Sequence, residues 1–187
     1  MLLMLLSLTP FAAFTLLGRL VSLEVGVWAA TLMALGLVLS DWLRPGGTIK
    51  MIEAGSLALF GALALYSLNA DMAASRSAVR AVSNGGLLAI SLVSLAIGKP
   101  FSLQYARETA SPAALASQAF LKQNYVITSV WAGAFAVTTG ISALSLLANA
   151  LPRWLESLVI YGALAFGALF TMWYSGRVRR LNAERLQ

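Results

Sequence analysis

The chain of 187 residues is 59% hydrophobic and only 11% charged, with a formal net charge of +6 and a mean hydropathy of +0.81. Soluble domains are about 25% charged, so this composition excludes a water-soluble domain and predicts a single all-α membrane domain spanning residues 1–187. Cysteine and histidine are both absent, which removes disulfides, thiolate nucleophiles and the commonest general base and metal ligand; we therefore expect no metal, no cofactor and no enzymatic activity.

Six apolar segments are long enough to predict transmembrane helices, because about 20 residues cross the hydrocarbon core of a bilayer. The amino terminus lacks the basic region and cleavage site of a secretory signal, so we interpret it as a retained first crossing. The six predicted spans run approximately from Leu2 to Leu17, Val25 to Leu43, Met51 to Leu68, Val79 to Ile97, Val126 to Leu147 and Leu155 to Tyr174.

The distribution of Lys and Arg predicts that both termini are cytoplasmic, because cationic loops stay on the cytoplasmic side of a membrane. In that orientation the outer segments hold only Arg19, Arg76, Arg80 and Arg153, and residues 175–187 form a basic cytoplasmic tail. The cations are scattered singly rather than grouped on a face. We therefore expect anionic lipid headgroups as partners, and no nucleic acid.

The stretch "IGKPFSLQYARE" follows the fourth span and concentrates polar and aromatic side chains. Two interpretations remain open: an anchor at the membrane surface, or a polar pocket at the cytoplasmic mouth that binds an anionic headgroup or small molecule. If the stretch is helical, Phe101 shares one face with three of the candidate residues, Gln104, Tyr105 and Glu108. The full set of candidates is Lys99, Gln104, Tyr105, Arg107 and Glu108.

The connection between the fourth and fifth spans, residues 98–123, is predicted to be a cytoplasmic surface segment. Ser111 before Pro112 is typical of a helix start, since the serine caps and the proline occupies the first turn. Good helix formers continue from Ala113 to Lys122. We expect a short amphipathic helix there.

Four polar residues fall near membrane depth in the predicted spans: Asp41, Glu53, Arg80 and Asn84. Asp41 and Glu53 lie at the facing ends of two spans with Arg44 and Lys50 between them, so ion pairing is the first expectation, and cation binding or proton relay the alternative.

The run "RAVSNGG", residues 80–86, contains Arg80 and Asn84 together with two glycines. Small residues of this kind favour either close helix packing or a local unwinding that lines a cavity.

The order of several motifs resembles the intracellular septation protein A family of bacterial inner-membrane proteins. The motifs are "KMIEAGSLALFGALALYSLNAD", "SAVRAVSNGGLLAISLVSLAIGKPF", "YARE" and "TSVWAGAF", with Phe60 followed by Gly61, Lys99 followed by Pro100, and Trp131 as their marked positions. The resemblance implies an inner-membrane protein of cell-envelope maintenance and septation that acts through protein partners. It implies no cofactor and supplies no catalytic residues.

Three functions remain open from the sequence. The first expectation is a non-enzymatic envelope protein that acts through protein and lipid contacts and that could oligomerise. The alternative is a small transporter or channel for an ion, lipid or small metabolite, because polar residues lie near membrane depth. The third is a lipid-modifying enzyme that would use Lys99, Arg107 and Glu108 around a headgroup.

Overall fold

The computed structural model describes residues 2–69, 76–115, 117–148 and 152–184, and the regular structure in these ranges is helical. This confirms the all-α prediction. In chain order the helices are α1 (Leu2–Leu6), α2 (Thr9–Leu20), α3 (Leu23–Leu43), α4 (Met51–Ser67), α5 (Arg76–Ala96), α6 (Phe101–Arg107), α7 (Pro112–Leu115), α8 (Gln118–Ala148) and α9 (Arg153–Glu184).

Five helical stretches of the described chain are long and apolar enough to cross a membrane. They are Leu3–Leu20, which joins α1 to α2, then Leu23–Leu43, Ser77–Ala96, Gln118–Leu147 and Trp154–Val178. At most 33% of each stretch is buried inside the protein, and large side chains such as Leu32, Leu65 and Leu169 point outward. An apolar outer surface of this extent suits lipid and not water.

The third predicted span is shorter than the other five. Helix α4 is apolar but has 17 residues, about 26 Å at 1.5 Å per residue, against about 30 Å of hydrocarbon. Five stretches rather than six therefore meet the length of a crossing.

The long helices pack in chain order, with α2 on α3, α3 on α4, α4 on α5, α5 on α8, and α8 on α9. One buried cluster surrounds Phe60 and includes Phe14 and Val27. A second surrounds Trp131 and Phe135 and draws in residues of α1, α4, α5 and α6. The short helix α6 is therefore part of the core.

Helix α5 ends in a tight reversal that sends the chain back into the bundle. Gly98 has φ +72°, the backbone N–H of Lys99 donates to the Ser94 carbonyl over 3.0 Å, and the N–H of Gly98 donates to the Leu95 carbonyl over 3.1 Å. This pair of bonds around a left-handed glycine is a Schellman motif. After Pro100, the N–H of Phe101 donates to Ser94 Oγ over 3.2 Å, so α6 begins beside the helix that has just ended.

The segment 98–123 differs from the surface element predicted for it. Phe101, Ser102, Leu103 and Tyr105 are each at most 4% exposed, because the reversal places α6 between α1, α5 and α8. The predicted helix start is found, since α7 begins at Pro112 and the N–H of Ala114 donates to Ser111 Oγ over 3.3 Å, but this helix does not extend to Lys122 as predicted. Helix α7 ends at Leu115, and the residues from Gln118 onward already belong to α8.

Two further predictions change in the structure. Helix α9 continues through Glu184, so most of the predicted basic tail is helical, and residues 185–187 lie outside the described ranges.

Helix α5 runs unbroken through "RAVSNGG", so the alternative of local unwinding is wrong. Asn84 Nδ2 donates to Ser142 Oγ over 2.8 Å, and a Cβ on Gly86 would clash with the Leu59 side chain, as expected of close helix packing.

Candidate functional site

A buried lysine forms the centre of the most polar site in the described chain. Lys50 immediately precedes α4, and its side chain is 4% exposed. Its Nζ donates to Asp41 Oδ2 and lies 2.9 Å from Glu108 Oε1 and 3.7 Å from Glu53 Oε1. We call Lys50, Asp41, Glu53 and Glu108 the charged cluster. The predicted pairing of Asp41 and Glu53 with a neighbouring cation is confirmed, and the cation is Lys50.

The turn between α3 and α4 brings Lys50 back to Asp41. Gly46 has φ +74°, which favours glycine. At Gly47 a Cβ would clash with the Asp41 carbonyl oxygen, while its N–H donates to the Arg44 carbonyl over 2.8 Å. The two glycines therefore permit a turn tight enough to put Lys50 beside the carboxylate at the end of α3.

Helix α6 covers the cluster from the other side with three of the sequence candidates. Gln104 Oε1 accepts a hydrogen bond from the N–H of Met51 over 2.7 Å, which satisfies one free donor at the start of α4. The Tyr105 ring centroid lies 5.6 Å from Lys50 Nζ, within cation–π range. Glu108 follows the last residue of α6 and pairs with Lys50.

Sequence reasoning did not identify Ser7 as part of the site. Its hydroxyl is buried and donates to Glu53 Oε1 over 2.6 Å across 46 residues of sequence. It also lies next to the Tyr105 hydroxyl. A single serine between leucines carries no periodic signal, so only the packing of the first crossing against α4 could reveal it.

The cluster contains three carboxylates and one ammonium. Asp41 and Glu53 are buried, whereas the Glu108 side chain is 28% exposed. Among the described residues, Glu53 Oε2 and the Tyr105 hydroxyl are buried polar atoms that have no hydrogen bond. Since buried polar groups are normally paired, these two atoms mark the part of the site that is incomplete.

Burial and charge act on Lys50 and Tyr105 in different ways. Burial alone would lower the pKa of Lys50, but hydrogen bonds to Asp41 and Glu108 and the nearby Glu53 charge outweigh it and hold the pKa above its ordinary value. Burial raises the pKa of Tyr105. Lys50 is therefore charged and Tyr105 neutral at physiological pH.

A cavity of about 460 Å³ lies beside the cluster, and Tyr105 is one of its walls. We call it the polar cavity. Most of its polar lining comes from hydroxyl and amide side chains on α6, α8 and α9, and none of the described lining residues is charged. The polar lining residues are Ser102, Tyr105, Thr109, Gln123, Asn124, Thr171 and Ser175.

Hydrogen bonds fix the cavity wall. Ser102 Oγ donates to Asn124 Oδ1 over 3.0 Å and accepts from Thr128 Oγ1 over 3.0 Å. Trp131 Nε1 donates to Thr171 Oγ1, also over 3.0 Å. The wall is thus preorganised by residues of three helices, as in small-molecule sites.

The remaining candidates do not join this site. Lys99 and Arg107 are exposed, while Glu108 is held by Lys50, so the three residues suggested for a lipid-modifying enzyme form no common centre. Arg80 and Asn84 lie towards the opposite end of the bundle, beside a cavity of only about 40 Å³.

That opposite end has its own polar contacts. Arg19 donates to Ser157 Oγ over 2.9 Å, and its guanidinium carbon lies 5.8 Å from the Tyr161 ring centroid. Glu156 and Arg80 line the same small cavity. The two ends therefore differ, since among the described residues only those of the Lys50 end combine buried charge with a cavity of ligand size.

Within the described ranges, no three side chains of the Asp, Glu, His and Cys type are placed to hold a metal ion. No protein-family model, curated protein or solved structure matches this chain. The charged cluster and the polar cavity are therefore the features of the molecule that bear on its function, and the resemblance to the septation protein A family stays a hypothesis.

Proposed function

We propose that this chain is a bacterial inner-membrane protein with six crossings and cytoplasmic termini that acts as a small carrier for an uncharged polar solute. The observation that supports this proposal best is the shared wall: Tyr105 lines the polar cavity and contacts the charged cluster. Carriers commonly place a solute site next to buried ionisable groups between helices.

The proposed orientation is supported by the exposed cations at the Lys50 end. Arg44, Lys99, Arg107 and Lys122 are all exposed. Arg44 and Lys99 follow α3 and α5, Arg107 is the last residue of α6, and Lys122 lies near the start of α8, so these cations favour the cytoplasmic side for that end. Helix α4 would be the third crossing. At about 26 Å it needs only slight thinning of the bilayer, which membranes tolerate at small free-energy cost.

The chemistry of the solute follows from the cavity lining. Hydroxyls and amides can bind hydroxyl or amide groups of a ligand, but the described lining offers no counter-charge, and a buried unpaired charge is strongly unfavourable. A volume of about 460 Å³ suits a small metabolite. A polyol, a monosaccharide or a neutral amide is the expected class.

Flux into proteoliposomes tests the carrier. Purified protein should raise the uptake of at least one labelled polyol, monosaccharide or neutral amide above that of empty liposomes. Gln123→Trp, which fills the cavity and leaves the hydrogen bonds of Ser102 and Trp131 in its wall intact, should reduce this flux at least about tenfold. Lys122→Trp, the same change at the exposed neighbouring position, is the matched control. Absence of flux for the whole panel contradicts the proposal.

An envelope role through protein and lipid contacts is the second candidate. It is favoured by the ion pairs of Lys50, which join the ends of α3 and α6 to the start of α4 and so could serve stability alone. In that case the protein would show no flux. A strain lacking the gene would have an altered cell length or altered septa, and the Gln123→Trp variant would correct this defect as well as the wild type does.

A further inference from the structure

The charged cluster has more negative than positive groups in a place where water cannot compensate. Asp41 and Glu53 are 6% and 3% exposed, and they share the single ammonium of Lys50 with Glu108. If all three carboxyl groups were ionised, the site would carry two negative charges in excess. Uncompensated charge at such depth is strongly disfavoured.

The three carboxyl groups are not equally well compensated. Asp41 makes the closest contact with Lys50, and the side chain of Glu108 lies 2.9 Å from Nζ and is 28% exposed to water. Glu53 is the farthest, at 3.7 Å, and its side chain is 4% exposed. Its Oε2 has no hydrogen bond to any described residue.

The carboxyl groups of Asp41 and Glu53 also lie within hydrogen-bonding reach of each other. Two ionised carboxylates have only acceptors and repel, whereas one proton between them turns the contact into a hydrogen bond. The Ser7 hydroxyl already donates to Glu53 Oε1, which leaves Oε2 as the atom for the proton.

We infer that the site binds one exchangeable proton, carried by Glu53 and donated towards Asp41. The proton is taken from water, and the O–H bond forms at Glu53 Oε2. One negative charge then remains in excess, and it falls at the exposed rim where Glu108 meets solvent. Arg44 also attracts the Asp41 carboxylate from outside. In the described part of the chain, the other polar groups that face Glu53 are Lys50, Ser7 and Tyr105.

A metal cation fits this position less well than a proton. Calcium takes six to eight oxygen ligands and magnesium six, whereas no three acidic side chains of the described residues are placed to hold a metal ion and the ammonium of Lys50 already lies among the carboxylates. A proton needs one oxygen and one acceptor.

Hydroxyl groups connect this proton with the polar cavity. Tyr105 lines the cavity, its hydroxyl lies next to that of Ser7, and Ser7 donates to Glu53. The Tyr105 and Ser7 hydroxyls therefore lie between the cavity and Glu53, and a proton can pass along them when the Tyr105 hydroxyl, which has no hydrogen bond in this structure, donates to Ser7. Use of the proton as the coupling ion rests on the proposed carrier function, but the proton site itself does not.

Infrared spectroscopy of the purified protein tests the site without any transport assay. At neutral pH the wild type should show the carbonyl band of a buried protonated carboxyl group, and the band should move when the glutamates carry carbon-13. Glu53→Gln should abolish it, and Glu24→Gln, at an exposed position near the other end of the bundle, should leave it intact. Absence of the band, or its persistence in Glu53→Gln, overturns the inference.

The isotope experiment on the wild type decides the matter even if Glu53→Gln does not fold, because a band that ignores the glutamate label cannot come from Glu53. Coupling is tested separately in proteoliposomes. A pH gradient should drive solute accumulation in the wild type and not in Glu53→Gln. If the infrared band is present but the gradient has no effect on a measurable flux, the proton site stands and coupling is refuted.

Discussion

Lys50 is the residue on which the site depends most, because it is the one ammonium among three carboxylates of the cluster. Lys50→Met should lower the free energy of unfolding by about 3–5 kcal/mol, the usual effect of leaving buried partners unpaired. Lys99→Met, at an exposed lysine, should change it by less than about 0.5 kcal/mol. Unfolding of both variants in detergent, followed by circular dichroism, measures the difference; equal stabilities would contradict the pairing.

The pH dependence of this stabilisation has a defined sign. The folded pKa of Lys50 lies above its ordinary value of 10.5, so its contribution is fully present below 10.5 and is lost as the pH rises through the folded pKa. Above neutral pH, the difference in melting temperature between wild type and Lys50→Met should therefore shrink only in strongly alkaline solution. A difference that shrinks between neutral pH and 10.5 would contradict this assignment.

The substitution Tyr105→Phe distinguishes a structural from a functional role of the Tyr105 hydroxyl. Because that hydroxyl is buried without a hydrogen bond, Tyr105→Phe removes an unsatisfied polar group and should leave stability unchanged or raise it by about 1 kcal/mol. Solute flux should fall, since the proton path loses a member. Loss of stability with normal flux would show that the hydroxyl has a structural partner instead.

The residues of the site differ in how far the sequence could predict them. The pairing of Asp41 and Glu53 could be predicted because charges at facing helix ends must find partners. That Lys50 rather than Arg44 is the paired cation could not be predicted, since this depends on the turn through Gly46 and Gly47. Ser7 could not be predicted either, as its partner is remote in sequence.

At the level of elements, the reversal after α5 positions α6. Gly98 has φ +72°, a conformation that costs about 1–2 kcal/mol for residues with a Cβ. Gly98→Ala should lower the free energy of unfolding by about that amount. Gly140→Ala, inside α8 where a Cβ would meet nothing, should stabilise by up to about 1 kcal/mol. Thermal unfolding of the two variants checks that their changes in the free energy of unfolding have opposite signs. A Gly98→Ala variant as stable as the wild type would contradict the role of Gly98.

The path of residues 98–123 could not be predicted from the sequence pattern alone. Cations and aromatic rings after an apolar span are typical of a surface anchor, and Lys99 and Arg107 are indeed exposed. The residues between them turn inward because the Schellman motif and Pro100 redirect the chain. Hydropathy predicts the end of a helix, but not the direction that the chain takes afterwards.

For the whole molecule, the natural absence of cysteine makes the orientation directly measurable. Single cysteines at two exposed positions, Lys99→Cys and Glu24→Cys, report on opposite ends of the bundle. In intact cells a membrane-impermeant maleimide should label Glu24→Cys and not Lys99→Cys, and permeabilisation should make both reactive. The reverse pattern would place the Lys50 end outside and contradict the proposed orientation.

Composition was sufficient to predict the class of fold, because so apolar a chain can only expose its helices to lipid. The hydropathy along the sequence also predicted the approximate position of each long helix. It did not predict that α4 is shorter than a full crossing or that α8 begins as early as Gln118. Those lengths depend on how turns and buried polar contacts end or extend a helix, which hydropathy does not record.

The contact between Lys50 and Glu108 has a consequence for biogenesis. Glu108 follows α4, α5 and α6 in the sequence, so the nascent protein must shelter Lys50 with Asp41 and Glu53 alone until Glu108 has been synthesised and has left the ribosome. Truncated chains that stop before α6 should therefore remain bound to the insertion machinery or be degraded, whereas chains that extend just past α8 should be released. The order of translation thus sets the moment at which the lysine gains its last counter-charge.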